Sequence, residues 1–455
     1  DLGYADLGCQ GAGDVRSPRI DSLAATGVRC TAGYVSAPQC CPSRAGLLTG
    51  RYQNRFGFET NPAGNSTATA GLPLAERTIA ADLQAAGYTT GMVGKWHLGT
   101  AQGMQPWERG FAESLWHPNG GVLFPNKQTG LLPGMRLGPE PADVAGYSTD
   151  AFGDAAVDFI TRHAATRAAG KPWFYYLSFV PPHWPMESKP EHMAAFAAEP
   201  DLHRRTFLGM MASLDENVGK VLDALDATGQ RDDTIVFFLS DNGGPTGQPR
   251  PRPDAPFQFG QNTSRNHPFR GQKGNLLEGG IRVPFLVRWP GVIPPGSTYN
   301  EPVISLDILP TALAAAGRPV ASDRGLDGVD LRPALSGQAT APPHEALFWR
   351  FRFPLAEAGQ QKFAIRQGRW KLVRDGGPPA LYDLLADPGE TVDLAARDPE
   401  RAAALRGEWN RWNKTLEEPR WHPREGTSQA QPNGRKKAAA LDKAAAPAAA
   451  ASVAD

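Results

Sequence analysis

The sequence has no long hydrophobic run. Its longest, Trp173 to Val180, is broken only by Ser178 and is far too short to cross a bilayer. No charge of one sign predominates either: Lys and Arg number 47, as do Asp and Glu. A chain without net charge lacks the electrostatic footprint of a nucleic-acid binder, so any anion site must be local. Cysteine is scarce. The four cysteines, Cys9, Cys30, Cys40 and Cys41, all lie in the first tenth of the chain. That excludes a disulfide framework, and they form neither a CxxC pair nor a zinc-binding spacing. Cys40 and Cys41 are adjacent and poorly placed to bridge each other, which makes one of them a candidate for reactivity. No internal repeat is legible. Nor is a signal peptide, but the sequence opens at Asp1 without an initiator Met, so nothing follows from that.

What is present is ordinary globular composition, 41% apolar and 21% charged, which excludes wholesale disorder. The 50 glycines and 42 prolines imply many loops without reaching low complexity. At 455 residues the chain exceeds what one small core organises, so a large domain with at least one smaller one is expected.

From Leu74 to Gly317 helix-like and strand-like stretches alternate. Ala75 to Ala86 reads as a helix closed by Gly87, and Tyr88 to Val93 as the strand after it. Thr149 to Ala169 is helical and leads to the β-rich run Trp173 to Val180. Phe207, Met211, Leu214, Val218, Val221, Leu222 and Leu225 recur at helical spacing. Thr234 to Leu239 and Val283 to Val287 are nearly continuous apolar runs, as in strands buried on both faces, and Ser305 to Ala316 is a further helix. The alternation predicts an α/β layered domain with a largely parallel sheet. Such sheets place ligands at the carboxyl ends of their strands. Lys95, His97, His183, Asp241 and Asn242 each follow an apolar run by a few residues and are the first candidates for chemistry.

After Pro343 the texture changes. Ala346 to Phe353, Lys362 to Arg366 and Trp370 to Val373 read as short strands, and Ala395 to Thr415 as a terminal helix. Residues 1–340 are therefore expected to form the main domain, 341–425 a smaller α+β module, and 426–455, Ala-rich and without aromatics, an unstructured tail.

The densest constellation is Cys40-Cys41-Pro42-Ser43-Arg44, running on through Leu48-Thr49-Gly50-Arg51. Here the sequence resembles the formylglycine-dependent sulfatases of the alkaline-phosphatase superfamily, whose signature is Cys-x-Pro-Ser-Arg followed by Leu-Thr-Gly. The resemblance continues in Gly87-Tyr88-Thr89-Thr90-Gly91-Met92-Val93-Gly94-Lys95-Trp96-His97-Leu98-Gly99 and in Asp1-Leu2-Gly3-Tyr4. It extends to Leu239-Ser240-Asp241-Asn242-Gly243, Gly271-Gln272-Lys273-Gly274 and Leu381-Tyr382-Asp383-Leu384. It implies an alkaline-phosphatase-like fold, a large mostly parallel sheet between helices with a smaller C-terminal α+β module. The implied activity is hydrolysis of sulfate esters, with Cys40, not Cys41, oxidised to a formylglycine whose hydrate is the nucleophile. It further implies a maturating enzyme as partner, a calcium or magnesium ion, and a periplasmic or secreted location.

The chemistry explains these residue types. A sulfate ester leaves as an alkoxide, so charge must be neutralised as it develops. A hard divalent cation with oxygen ligands suits that role. By resemblance, Asp1, Asp241, Asn242 and the hydrate at Cys40 hold the metal. Arg44 orients the hydrate, and His97 hydrogen-bonds it and acts as a base. Lys95 and Lys273 pair with sulfate oxygens, and His183 serves the leaving oxygen. Lys273 competes for its role with Arg270 and Arg282. The stretch Arg51 to Glu59 resembles bacterial carbohydrate sulfatases, so a sulfated glycan is the expected substrate, with Trp107, Trp116 and Trp184 as candidates to stack on sugar rings. The alternatives are a phosphonate or phosphate ester hydrolase of the same superfamily, and an inactive sulfoglycan-binding homologue. His117, His163, His192, His203, His267, His344 and His422 receive no role and are expected mostly in solvent. Asn65, Asn262 and Asn413 open short glycosylation-like triplets. The family opening carries two adjacent aspartates after a buried strand. Here the sequence starts at the second, so a weakened metal site and sheet are expected.

Overall fold

The computed structural model describes residues 1–62, 70–119, 124–247, 262–318, 324–352 and 361–420. The expected tail at 426–455, Asn65 and His422 lie outside them. In chain order the first elements are α1 (Pro18–Ala25), β1 (Val28–Cys30), β2 (Gly33–Tyr34), α2 (Cys40–Thr49), α3 (Ile79–Ala85) and β3 (Thr89–Lys95). Next come β4 (Glu113–His117), β5 (Arg136–Leu137), β6 (Glu140–Pro141), α4 (Ser148–Ala168), β7 (Trp173–Ser178), α5 (Pro190–Ala194), α6 (Leu202–Ala227) and β8 (Val236–Leu239). Then follow α7 (Glu278–Ile281), β9 (Phe285–Arg288), β10 (Ser297–Tyr299), β11 (Val303–Ile304), α8 (Ile308–Ala315) and α9 (Arg332–Leu335). The last are β12 (Ala346–Phe351), β13 (Lys362–Gln367), β14 (Trp370–Arg374), β15 (Ala380–Asp383) and α10 (Pro399–Asn413).

Two sheets, one containing β3 and the other β9, are each covered by helices on both faces, and their side chains alternate accordingly. Val93 of β3 and Leu286 of β9 pack with Phe152 of α4, Leu214 of α6 and Ile20 of α1. Their chain neighbours Met92, Phe285 and Val287 pack on the other face with Leu48 of α2, Leu83 of α3 and Leu309 of α8. Both faces being covered explains why these strands read as continuous apolar runs. The pairing β4-β3-β7 is parallel, as expected. The other sheet is mixed: β9 runs antiparallel to both β1 and β8. The strand ends shift by a residue or two from the sequence reading, and the helix expected from Ala75 starts later, at Ile79, where the Thr78 side chain accepts from the Ala81 amide.

β8 and β7 stand at the ends of their respective strand arrays, β10-β1-β9-β8 and β6-β5-β4-β3-β7. Between them runs a cavity of about 530 Å³ lined by Trp173–Val180, Val236–Leu239, Leu214 and Leu222 of α6, and Ile79 and Ile308 on the opposite side. Its walls are mostly apolar, with polar side chains at Asp1, Arg44, Lys95, His183 and Asp241 and again at Arg167, Gln230, Asp233 and Thr234. An antiparallel sheet, β12-β13-β14-β15, forms a further layer. Its core packs Trp409 and Trp412 of α10 with Trp349 and reaches Tyr34 and Ile281. Among the described residues no helix is long and apolar enough to cross a membrane.

Candidate active site

The carboxyl ends of β3, β7 and β8 converge on the first turn of α2. Cys40 is the first residue of that helix, Gln39 ahead of it being extended, and Arg44 follows one turn later on the same face. Arg44 is buried and ties the strands together. Its Nε and Nη2 donate to Asp241 Oδ2 at 3.1 and 2.8 Å, and its Nη1 donates to the Lys95 carbonyl at 3.2 Å and to the Tyr176 hydroxyl at 3.0 Å. Nη1 also donates to Ser178 Oγ. Close approach of β3 and β7 here requires glycine: a Cβ on Gly94, whose φ is +104°, would lie 2.0 Å from the Ser178 carbonyl oxygen.

Cys40 and Cys41 are both fully buried, yet their surroundings separate them. Burial and the Asp241 carboxylate push the Cys40 thiol up, but Lys273 and Lys95 outweigh them and hold it well below its usual value. Burial, and then charge on Cys40, drives Cys41 well above. Of the adjacent pair, Cys40 is the one at which the nearby cations prevail over burial, favouring an anionic or oxidisable sulfur.

Asp1 lies across from Cys40, its Oδ1 3.9 Å from Sγ. Lys273 Nζ donates to both Asp1 oxygens at 2.8 and 2.9 Å, so it, rather than Arg270 or Arg282, enters the site. Arg270 instead donates to the Tyr382 hydroxyl at 3.0 Å, and Arg282 pairs with Glu278 at 3.1 Å. Lys95 ends β3, almost wholly buried. His97 has φ +63°, a strained choice for a residue with a Cβ, and its amide donates to the Pro118 carbonyl at 2.9 Å. Burial, then Lys95, lowers its ring to about 4, and its Nδ1 has no hydrogen-bond partner among the described residues. His183 is likewise lowered to about 4 by burial, Lys95 and Lys273. Its Nδ1 donates to the Trp184 carbonyl, and its Nε2 lies 3.8 Å from Asp1 Oδ2. Both histidines are therefore neutral near pH 7.

The donor set suits a hard divalent cation. Asp1, Asp241 and Asn242 offer oxygens, and Asn242 Oδ1 is a buried carbonyl oxygen with no partner among the described residues. Asn242 Nδ2 donates to Asp1 Oδ1 at 2.8 Å, keeping the two side chains in one site. Asp1, Cys40 and His183 present ligand atoms within 4.8 Å of one another.

Every site residue expected from the sequence is thus brought together: Asp1, Cys40, Arg44, Lys95, His97, His183, Asp241, Asn242 and Lys273. Sequence reasoning missed the residues that hold them. Ser264 Oγ and Asn262 Nδ2 donate to the Asp1 carbonyl at 3.1 and 3.2 Å, and Asn262 Nδ2 also donates to the Pro182 carbonyl at 2.8 Å. Fully buried, Asn262 is no glycosylation acceptor. Trp116 is core rather than a sugar platform, 0% exposed with Trp107 tilted against it at 5.8 Å. His344 is not solvated: its Nε2 lies 2.8 Å from Asp307 Oδ1, its side chain 8% exposed. His163 pairs with Glu113 at 2.7 Å.

Residues 1–318 match the family model described as sulfatase, and residues 271–411 that of the N-sulphoglucosamine sulphohydrolase C-terminal region. The chain is 33% identical to steryl-sulfatase of Rattus norvegicus, over 89% of this chain and 85% of that protein. It is 34% identical to arylsulfatase A of Homo sapiens, over 89% and 84%. Among solved structures it is similar to Ps i-CgsB in complex with k-i-k-neocarrahexaose, with a TM-score of 0.84, 31% identity and 93% of each chain covered.

Proposed function

This chain belongs to the sulfatase family and is a sulfuric ester hydrolase, and we propose that it removes sulfate from a sulfated carbohydrate through the buried site around Cys40. The observation that carries this reading is the convergence of Arg44, Lys95 and Lys273 with two neutral histidines and three oxygen-donor side chains on that one residue. The carbohydrate is supported by the likeness to Ps i-CgsB, whose structure holds a neocarrahexaose.

Converted to formylglycine and hydrated, residue 40 would supply an oxygen nucleophile, and a calcium or magnesium ion held by Asp1, Asp241 and Asn242 would supply Lewis acidity beside it. The chain's own residues do the rest. Arg44 fixes Asp241 and the ends of β3 and β7, so the site cannot widen as charge moves. Lys95 and Lys273 meet the sulfate oxygens as point charges, Lys273 turning from Asp1 toward the anion. His97, neutral and with a free Nδ1, is fitted to take a proton at residue 40. The negative charge of a bound ester favours protonation of His183, whose Nε2 then gives a proton to the bridging oxygen of the leaving alcohol. Because Cys40 is fully buried, a maturating enzyme must reach it before α2 packs. A periplasmic or secreted location fits that reading.

The test pairs two measurements on one preparation. Mass spectrometry of the peptide bearing Cys40 should show the aldehyde, and the same protein should release sulfate from sulfated oligosaccharides faster than phosphate from aryl phosphate or phosphonate. Faster phosphonate or phosphate turnover would overturn the substrate chemistry, and an unmodified thiol in active protein would overturn the nucleophile.

A further inference from the structure

Lys273 stands on the least regular support in the site. Its loop, 270–277, is neither helix nor strand, and Gly271 and Gly274 on either side are left-handed, with φ +89° and +88°. The turn is closed locally by Asn275, whose amide donates to the Gln272 carbonyl at 2.8 Å while its Oδ1 accepts from the Gln272 amide at 3.0 Å. The Gly274 amide donates to the Pro38 carbonyl at 2.9 Å, two residues before Cys40. None of these contacts fixes the outer side of the turn.

That side is held from the antiparallel sheet, about a hundred residues on in sequence. Lys362, which opens β13, donates through Nζ to the Gly274 carbonyl at 2.9 Å. Asp375, just past β14, accepts from Asn275 Nδ2 at 2.7 Å and pairs with Lys362 at 2.5 Å. Phe363 faces Arg374 in the β13–β14 ladder, so Lys362 and Asp375 form the next cross-strand pair. The Asp375 side chain is 3% exposed and that of Lys362 20%, and a partly buried ion pair with a further hydrogen bond on each partner is costly to break from one side.

We propose that Lys362 and Asp375 are positioning residues for Lys273: they clamp Gly274 and Asn275 and thereby set where the Lys273 ammonium meets the sulfate. The proposal rests on the reading of Lys273 given above. Loosening the clamp lets Lys273 wander while leaving α2, the histidines and the oxygen ligands in place. A contact made to sulfate throughout the reaction is uniform binding, so its loss raises KM more than it lowers kcat.

The experiment is a double-mutant cycle with 4-nitrophenyl sulfate as substrate and inorganic sulfate as competitive inhibitor. Lys273→Ala should raise KM and weaken inhibition by sulfate. Asp375→Ala should do the same by about tenfold with kcat changed by about twofold or less, and in the Lys273→Ala background it should add nothing. Lys362→Ala, which deletes the same clamp from the other strand, serves if Asp375→Ala does not fold. Asp375→Asn, which keeps an acceptor for Asn275, should recover part of the loss. If Lys273→Ala moves KM while the clamp variants do not, or if the effects add fully in the double variant, the positioning role is overturned and the reading of Lys273 stands. No change on Lys273→Ala overturns both.

Discussion

Replacing Lys371 by Met should destabilise the protein far more at alkaline than at acidic pH. Lys371 lies on β14 with its side chain fully buried, 2.8 Å from Glu278 Oε1 and 2.9 Å from Glu390 Oε1. Glu278 also accepts from the Tyr34 hydroxyl at 2.6 Å and pairs with Arg282 at 3.1 Å. Glu390 Oε2 takes the Glu278 amide at 2.7 Å. Burial pushes Glu278 up, but Lys371 and Arg282 bring it down to about 2. Burial holds Glu390 up to about 7 against the pull of Lys371, with the Glu278 charge adding to the rise. Without the ammonium, two carboxyl groups share a dry site with less than their former compensation. Breaking a buried pair from one side costs about 3–5 kcal/mol, a loss of about 3–5 °C in melting temperature for a chain of this length.

The pH dependence separates this from a packing defect. In the variant both carboxyl groups lose a neighbour that lowered them, so both folded-state values rise. A group raised above its unfolded value, 4.5 for Glu390, contributes stability that is present below that value and lost as pH climbs through the folded one. Glu278 meanwhile gives up part of the stability its low value supplied above pH 4.5. The Glu390 change widens the gap between wild type and variant as pH rises from 5 to 8, and the Glu278 change adds a loss present across that whole range. Thermal melts at the two ends of that range decide it. An equal loss at both, as a methionine that merely fits badly would give, refutes the electrostatic reasoning. Glu278 opens α7, directly after the Lys273 loop, so sulfate release should fall in the same variant at temperatures where it remains folded.

Cys40→Ala should abolish sulfate release and Cys41→Ala should retain most of it, because only Cys40 faces Asp1, Lys95 and Lys273; equal loss in two folded variants would contradict the assignment. Chelation should remove activity and lower the melting temperature, and calcium or magnesium should restore both, whereas rescue by zinc alone would speak against an oxygen-ligand site. Joining about six apolar residues to the amino group of Asp1 should raise the melting temperature by several degrees, since β7 and β8 each offer a hydrogen-bonding edge to the cavity between them. The same extension with a central proline should do much less, and equal gains from both would show that the cavity does not take a strand.

What was legible in the sequence was whatever a continuous apolar run announces. Lys95, His183 and Asp241 could be picked out because each stands at the end of an apolar strand or within a few residues of it. Cys40 and Arg44 were legible as a helix turn with its own signature. The antiparallel placement of β9 was not, because a strand covered on both faces reads the same in either direction. Asn262, Ser264, Asp375 and Lys362 were invisible for a different reason. Asn262, Ser264 and Lys362 act on backbone carbonyls far away in sequence, where no matching side chain exists for a pattern to reveal, and Asp375 meets the Asn275 side chain a long way back in the chain. Asn262 even carried a misleading signal, a triplet that its burial empties of meaning.

The same distinction governs how a neutral chain recognises an anion. With 47 charges of each sign, no long-range field draws a sulfate ester in, and selectivity has to come from the few charges around Cys40. There, the side-chain cations Arg44, Lys95 and Lys273 face the carboxylates Asp1 and Asp241, a positive excess to which the proposed divalent cation would add. Arg44 is already committed to Asp241, with which it shares two hydrogen bonds. Among the described residues Lys273 pairs with Asp1 alone, and a divalent cation at Asp1 would compete for those same oxygens. On the proposed reading Lys273 is the cation released to the substrate, and where it goes when released depends on the turn beneath it. On that reading, a site whose residues are announced by strand ends is tuned by a lysine and an aspartate of another sheet, which would touch neither the substrate nor the metal ligands.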